Sequence, residues 1–180
     1  NGFVTLTRRA LDGSGRAEAL VRAGRSASFE NLHAFDSRVD ASRPGLLLLS
    51  TKYQERDALV IFDRSHDRVV GRYQFPDLVS ILSPVWGPGG QTVIFSGLAE
   101  SGLSDLYRLS LPDGHLEKLT DDRYQDLDPS LSPDGSELVF ASDRTAGGLE
   151  DAVNLFIMNL GTREIRQLTN GPWVDETPRW

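Results

Sequence analysis

Apolar and polar residues alternate along this chain in short runs rather than in helical stripes. Phe3-Val4-Thr5-Leu6-Thr7 alternates at period two, and Ala17-Glu18-Ala19-Leu20-Val21 returns after Leu11-Asp12-Gly13-Ser14-Gly15. That pattern predicts two strands joined by a hairpin, with Asp-Gly as the turn cue. Later runs are apolar throughout: Leu46 to Leu49, Ala58 to Phe62, Val93-Ile94-Phe95 and Leu138-Val139-Phe140. Runs of this length predict strands covered on both faces.

The clearest unit is Asp126–Ser142, DLDPSLSPDGSELVFAS. Asp126 to Leu131 suits a first strand. Ser132-Pro133-Asp134-Gly135 suits a turn, since Pro133 presets φ and Gly135 accepts positive φ. The same cell occurs upstream, with Pro84, Trp86, Pro88, Gly90 and Phe95 each 45 residues before Pro129, Leu131, Pro133, Gly135 and Phe140. Pro178 follows Pro129 by 49 residues, and Leu155 and Leu168 follow Leu106 and Leu119 by 49. A fixed period of this size, with four short strands per cell, predicts β-propeller blades.

The expected organisation is one all-β region over 1–180 built from four-stranded antiparallel blades. Full blades are expected at 29–75, 78–120 and 125–169, with partial blades at 1–24 and 174–180. In the first blade Phe29 to Phe35 is the expected inner strand, with Phe35 in the place of Trp86. Leu98 to Ser104 is expected to be a loop. The step from 45 to 49 places four extra residues between Phe140 and Leu155. Because the sequence opens at Asn1 without Met and closes where a turn is due, the expectation is a piece of a longer chain.

Composition narrows the chemistry. No cysteine is present, so disulfides, thiol catalysis and thiolate metal sites are excluded. No apolar run is long enough to span a membrane as a helix. The net charge is −7; residues 1–75 carry 12 Lys/Arg against 9 Asp/Glu, and residues 76–180 carry 7 against 17. An acidic second half argues against nucleic acid, which requires a basic face.

Candidate sites are few. His33, His66 and His115 show no helical metal spacing, and no Gly-x-Ser-x-Gly elbow occurs. Gly13-Ser14-Gly15 has no following lysine or helix to make a phosphate loop. Asp121, Asp122, Asp126 and Asp128 form a candidate acidic face; they lack the glycine-spaced ladder of a calcium loop, and turn capping accounts for such residues. The loop carrying the extra residues offers Asp143, Arg144, Gly147, Gly148, Glu150 and Asp151 as candidate protein contacts, since loops carry function more often than cores. No catalytic residue, cofactor site or metal site is assigned.

At these residues the chain resembles a known family. Asp126, Pro129, Ser132-Pro133-Asp134-Gly135, Phe140, Ser142-Asp143-Arg144 and Leu168-Thr169 are similar to the TolB-like, WD-repeat-like β-propeller unit. Residues 84–120 resemble it with Gly87-Pro88-Gly89-Gly90 in the turn, and residues 1–75 only in outline. The resemblance implies a periplasmic or otherwise extracytoplasmic bacterial protein that binds other proteins. It also implies alternatives, because relatives sit beside catalytic domains in serine and tricorn-type peptidases. The reading is a non-catalytic scaffold for protein–protein interaction, with partners that are subunits of a larger membrane-associated assembly. The alternatives are a peptidase propeller whose catalytic domain lies elsewhere, and a propeller binding a small ligand or sugar.

Overall fold

The computed structural model describes residues 5–22, 31–32, 38–144 and 152–180, with backbone alone for residues 5, 20–22, 31 and 32. Strands β1 (Thr5–Arg8) and β2 (Glu18–Arg22) form a two-stranded antiparallel ribbon. The expected turn is there: the Gly13 amide donates to the Ala10 carbonyl at 3.1 Å, with Gly13 at φ 76°.

Three four-stranded antiparallel sheets follow. The first joins β3 (Asn31–Leu32), β4 (Leu46–Tyr53), β5 (Arg56–Asp63) and β6 (Arg68–Tyr73) in chain order. The second joins β7 (Leu78–Trp86), β8 (Thr92–Ala99), β9 (Ser104–Ser110) and β10 (Leu116–Lys118). The third joins β11 (Asp126–Leu131), β12 (Glu137–Ser142), β13 (Asn154–Asn159) and β14 (Ile165–Gln167). Among the described residues the sole helical element is a 3-10 turn at Pro88–Gly90. These are meandering blades of an incomplete propeller, as the repeat predicts. Most of the inner strand expected at Phe29 to Phe35, including Phe35 itself, lies outside the described residues.

Alternation along the middle strands decides how the sheets stack. Leu47 and Leu49 pack with Val60 and Phe62 on one face of the first sheet, where Leu6 of the ribbon joins them. Leu48, Leu59 and Ile61 point the other way, onto Leu78, Ile81, Trp86, Val93, Phe95 and Tyr107. In the second sheet Val93 and Phe95 take that first interface, while Ile94 and Leu106 take the next one with Leu138, Phe140, Phe156 and Met158. Each sheet is therefore apolar on both faces, and its core positions are the sandwiched ones. The aromatic pairs repeat with the period. Phe95 stacks on Tyr107 at 5.7 Å between centroids, and Phe140 meets Phe156 at 6.1 Å.

One expected loop is strand instead. Leu98 and Gly97 belong to β8, pairing with Ser104 and Asp105. Glycine is required there by space: a Cβ on Gly97 would stand 2.8 Å from the Tyr107 ring and 2.9 Å from Leu78. The connection shrinks to residues 100–103. A similar close approach joins two turns, since a Cβ on Gly135 would fall 2.1 Å from Pro88.

The stretch 174–180 forms no ladder, in contrast to a regular partial blade. Val174 makes one parallel bridge to Val153. The Thr177 amide donates to Asp128 at 3.2 Å, the Trp180 amide donates to Ser130 Oγ at 3.3 Å, and Pro178 is buried. The segment thus lies beside β11.

Two outcomes test this packing. Phe140 is 0% exposed at the second interface, so Phe140→Ala is expected to lower stability by about 3–5 kcal/mol in urea melts. The turn Ser132–Gly135 adds an acid-sensitive element. Asp134 accepts from the Ser132 hydroxyl at 2.7 Å and from the Ser136 amide at 3.1 Å. Those donors, the Ser132 hydroxyl foremost, lower its carboxyl to about 2. A depressed carboxyl stabilises the fold above its ordinary pKa and loses that contribution as pH falls through the folded value. Melting temperature is expected to drop between about pH 4 and pH 2, and the drop is expected to be smaller in Asp134→Asn.

Candidate functional site

Three places bring chemistry-bearing side chains together. The first is the end of the third blade. Asp126 opens β11 and is 0% exposed. Ser142 closes the paired strand β12 directly opposite. Two residues on, Arg144 turns back over the blade, its side chain 11% exposed. Arg144 pairs with Asp126 through Nη2 and with Asp122 through Nη1 at 2.9 Å, and its Nε donates to Ser142 Oγ at 3.0 Å. The guanidinium carbon also stands 5.2 Å from the Tyr124 ring centre and 5.5 Å from that of Phe140. Burial works against this charge, but Asp126 and Asp122 outweigh it and raise the Arg144 pKa above its ordinary value. Burial pushes the Asp126 carboxyl up, against the pull of Arg144 and Ser142.

This arrangement differs from the sequence expectation. Asp126 was expected on an acidic face and Arg144 in a contact loop; both are interior members of one ion pair. Their spacing across a β hairpin puts them side by side, which linear reading separates by eighteen positions.

The second place is the acidic corner that remains. Asp121 and Asp122 are exposed, and so is Asp143. Asp143 accepts from the Gln125 amide at 2.9 Å, Asp122 caps the Tyr124 amide at 2.9 Å, and Asp121 takes Lys118 at 2.5 Å. Gln125 ties the corner to the second blade, accepting from the Ser104 amide and donating to the Gly102 carbonyl, each at 3.0 Å. Gly147, Gly148, Glu150 and Asp151 of the candidate loop lie outside the described residues.

Asp128 belongs to neither group. It accepts from Ser83 Oγ at 2.6 Å and forms an ion pair with Arg38 at 3.3 Å. Ser83, Asp128 and Thr177 hold positive φ, at 49°, 53° and 54°, each directly before a repeat proline. Both β7 and β11 shift register across this point. The bulge in β7 turns the Ser83 side chain toward Asp128 of the neighbouring inner strand. Sequence reading missed Ser83 and Thr177 and placed Asp128 on an acidic face, although all three share the offsets of the prolines that follow them.

The third place is a cleft of about 620 Å³ where the inner strands run into their first turns. Arg38, Asp40 and Arg43 line it from the segment before β4, Trp86 and Gly90 from the second blade, Ser130 and Ser132 from the third, and Arg179 from the last stretch. The Arg43 guanidinium stands 5.0 Å from the Trp86 ring centre and donates to the Gly90 carbonyl at 2.8 Å. Of the histidines, His66 is exposed and bonds Asp63 at 2.7 Å, His115 is exposed, and His33 lies outside the described residues. Among the described residues no group of three or more His, Asp or Glu is placed to hold a metal ion.

Comparison with known proteins agrees with this architecture. No protein-family model matches the chain. Over 89 residues it is 32% identical to the Tol-Pal system protein TolB of Francisella tularensis subsp. tularensis, a match covering 49% of this chain and 20% of that one. The chain thus matches about a fifth of the length of the curated relatives. TolB from Acinetobacter baumannii superposes with a TM-score of 0.66 at 18% identity, over 89% of this chain and 36% of that one. A putative TolB from Agrobacterium tumefaciens gives 0.66 at 17% identity, over 87% and 53%. The tricorn protease gives 0.55 at 13% identity, over 73% and 13%. The fold is that of a TolB-like β-propeller.

Arg144→Met tests the role of the buried pair. It leaves the Asp126 carboxylate interior and uncompensated, so a loss of about 3–5 kcal/mol in denaturant melts is expected. The double variant Arg144→Met, Asp126→Leu is expected to recover most of that loss, because it removes the stranded charge as well.

Proposed function

We propose that this propeller is a non-catalytic scaffold that binds another protein within a Tol-Pal type of assembly, on the extracytoplasmic side of a bacterial membrane. The observation that carries the reading is the 89-residue match to a Tol-Pal system protein. It falls on a chain whose middle strands are buried in blade-to-blade packing, which leaves turns and loops as part of the surface on offer. No helix of the described residues is long and apolar enough to cross a membrane.

The docking surface we assign is the acidic corner at Asp121, Asp122 and Asp143, with the adjoining loop through Asp151. Gln125 and Arg144 hold the backbone of this corner, so its charges are presented on a rigid support. A carboxylate cluster of this kind favours a partner with a basic face and speeds its encounter at low salt. Reversing both charges in Asp121→Lys, Asp122→Lys is expected to slow association by about tenfold and to flatten its salt dependence. The check is cross-linking in cells, identification of the captured protein as a Tol-Pal component, and surface-binding kinetics with that purified protein. Recovery of no Tol-Pal component by the wild-type protein would sink the assignment.

The fold is shared with the tricorn protease, so the peptidase alternative has its own measurement. Turnover of a peptide library by the full-length protein would replace the scaffold reading.

A further inference from the structure

The arginine-lined cleft is not used by the scaffold reading. We propose that it binds a small free oxyanion, a carboxylate or phosphate ligand, with Arg38, Arg43 and Arg179 as the cationic lining. The site lies apart from the acidic corner and stands or falls separately from it.

Charge is the first argument. The chain carries a net charge of −7, yet three arginines converge on this one cleft. The acidic residue lining it is Asp40, and that carboxylate is committed: it accepts from the Ser42 amide at 2.7 Å and from the Trp86 amide at 2.8 Å.

Incomplete pairing is the second. The Arg38 side chain is 13% exposed, and its ion-pair partner is Asp128 at 3.3 Å. Asp128 is shared, since it also accepts from Ser83 Oγ and the Thr177 amide. Arg38 Nη1 donates to the Pro178 carbonyl at 3.5 Å, while Nη2 makes the ion pair with Asp128 but no aligned hydrogen bond. The indole Nε1 of Trp86 is buried without a hydrogen bond among the described residues. Trp86 itself is 7% exposed and lines the same cleft. Burial lowers the Arg38 pKa, and the neighbouring Arg179 charge adds to that, against Asp128. Arg38 thus has one carboxylate partner, itself shared with Ser83 and Thr177, and it feels the like charge of Arg179. A buried donor without an acceptor is costly, and a desolvated cation beside a like charge is costly again. An oxyanion in the cleft answers both demands. Guanidinium forks match the planar carboxylate and the phosphate face with paired hydrogen bonds.

Size is the third. A cleft of about 620 Å³ falls in the range of small-molecule sites. The glycines of the 3-10 turn at Pro88–Gly90 let backbone stand close at its rim.

Calorimetric titration of the full-length protein with citrate and with inorganic phosphate, at low ionic strength, tests the site. Saturable binding of at least one of them is expected, with a Kd of about 1 mM or tighter. Arg179→Gln is exposed and leaves the packed interior alone, and it is expected to weaken binding by about tenfold. Arg38→Gln is expected to weaken it at least as much, with its melting curve recorded beside it. If that variant melts early, Arg179→Gln alone decides. A neutral sugar is expected to give no saturable heat. No saturable binding of either anion up to roughly 10 mM, or binding unchanged in Arg179→Gln, overturns the proposal. A hexaglutamate peptide separates the two sources of a carboxylate: binding of the peptide with none of citrate or phosphate places the group on another protein and also overturns it.

Discussion

A sheet that is apolar on both faces cannot stand in water alone, and this constraint governs the whole molecule. Leu47 and Leu48, adjacent in one strand, serve two different cores. Val93 and Ile94 do the same one blade later. Each sheet must therefore be covered twice, and the neighbour that covers it must carry the same pattern. Repetition of the cell is the economical solution. Burial of each large side chain contributes about 1.5–3 kcal/mol, so the stacked middle strands supply most of the stability. The polar turns are left to function.

Inner strands are held by a different device. Proline at 84, 129 and 178 has no amide to donate, and the residue before each stands at positive φ. The strand bulges at that point and a short side chain crosses to the next blade, as Ser83 does to Asp128. Asp128 collects the Thr177 amide from the following stretch. One hydroxyl, one carboxylate and one backbone amide at equivalent repeat positions thus link two successive inner strands and the stretch that follows them. The 174–180 stretch is placed by these polar contacts rather than by a sheet ladder.

Electrostatics separates the molecule into two regions of opposite sign. The corner at Asp121, Asp122 and Asp143 is acidic and exposed, whereas the cleft at Arg38, Arg43 and Arg179 is basic and partly enclosed. Arg144 marks how little a residue's charge says about its place. It occurs in a loop rich in polar residues, yet it lies against Phe140 and Tyr124 and neutralises an interior aspartate.

The blade architecture was legible in the sequence because packing period and chain period coincide. Phe95 and Phe140 hold equivalent positions 45 residues apart, and each is fully buried at the matching interface. The turns at Leu11–Gly15 and Ser132–Gly135 were readable from local rules, since Pro and Gly act on their own φ angles. Leu98 was read as the start of a loop, yet the strand runs through Gly97 to Ala99; the need for glycine at 97 comes from the ring of Tyr107, brought opposite by strand pairing. Asp126 and Arg144 were read as surface charges because their partner lies across a hairpin. The cleft was invisible for the same reason: Arg179 is far along the chain from Arg38 and Arg43, and the fold is what brings them to one cleft. Local residue preferences and a repeat period determine strands and turns, while contacts between residues distant in the chain decide which charges meet.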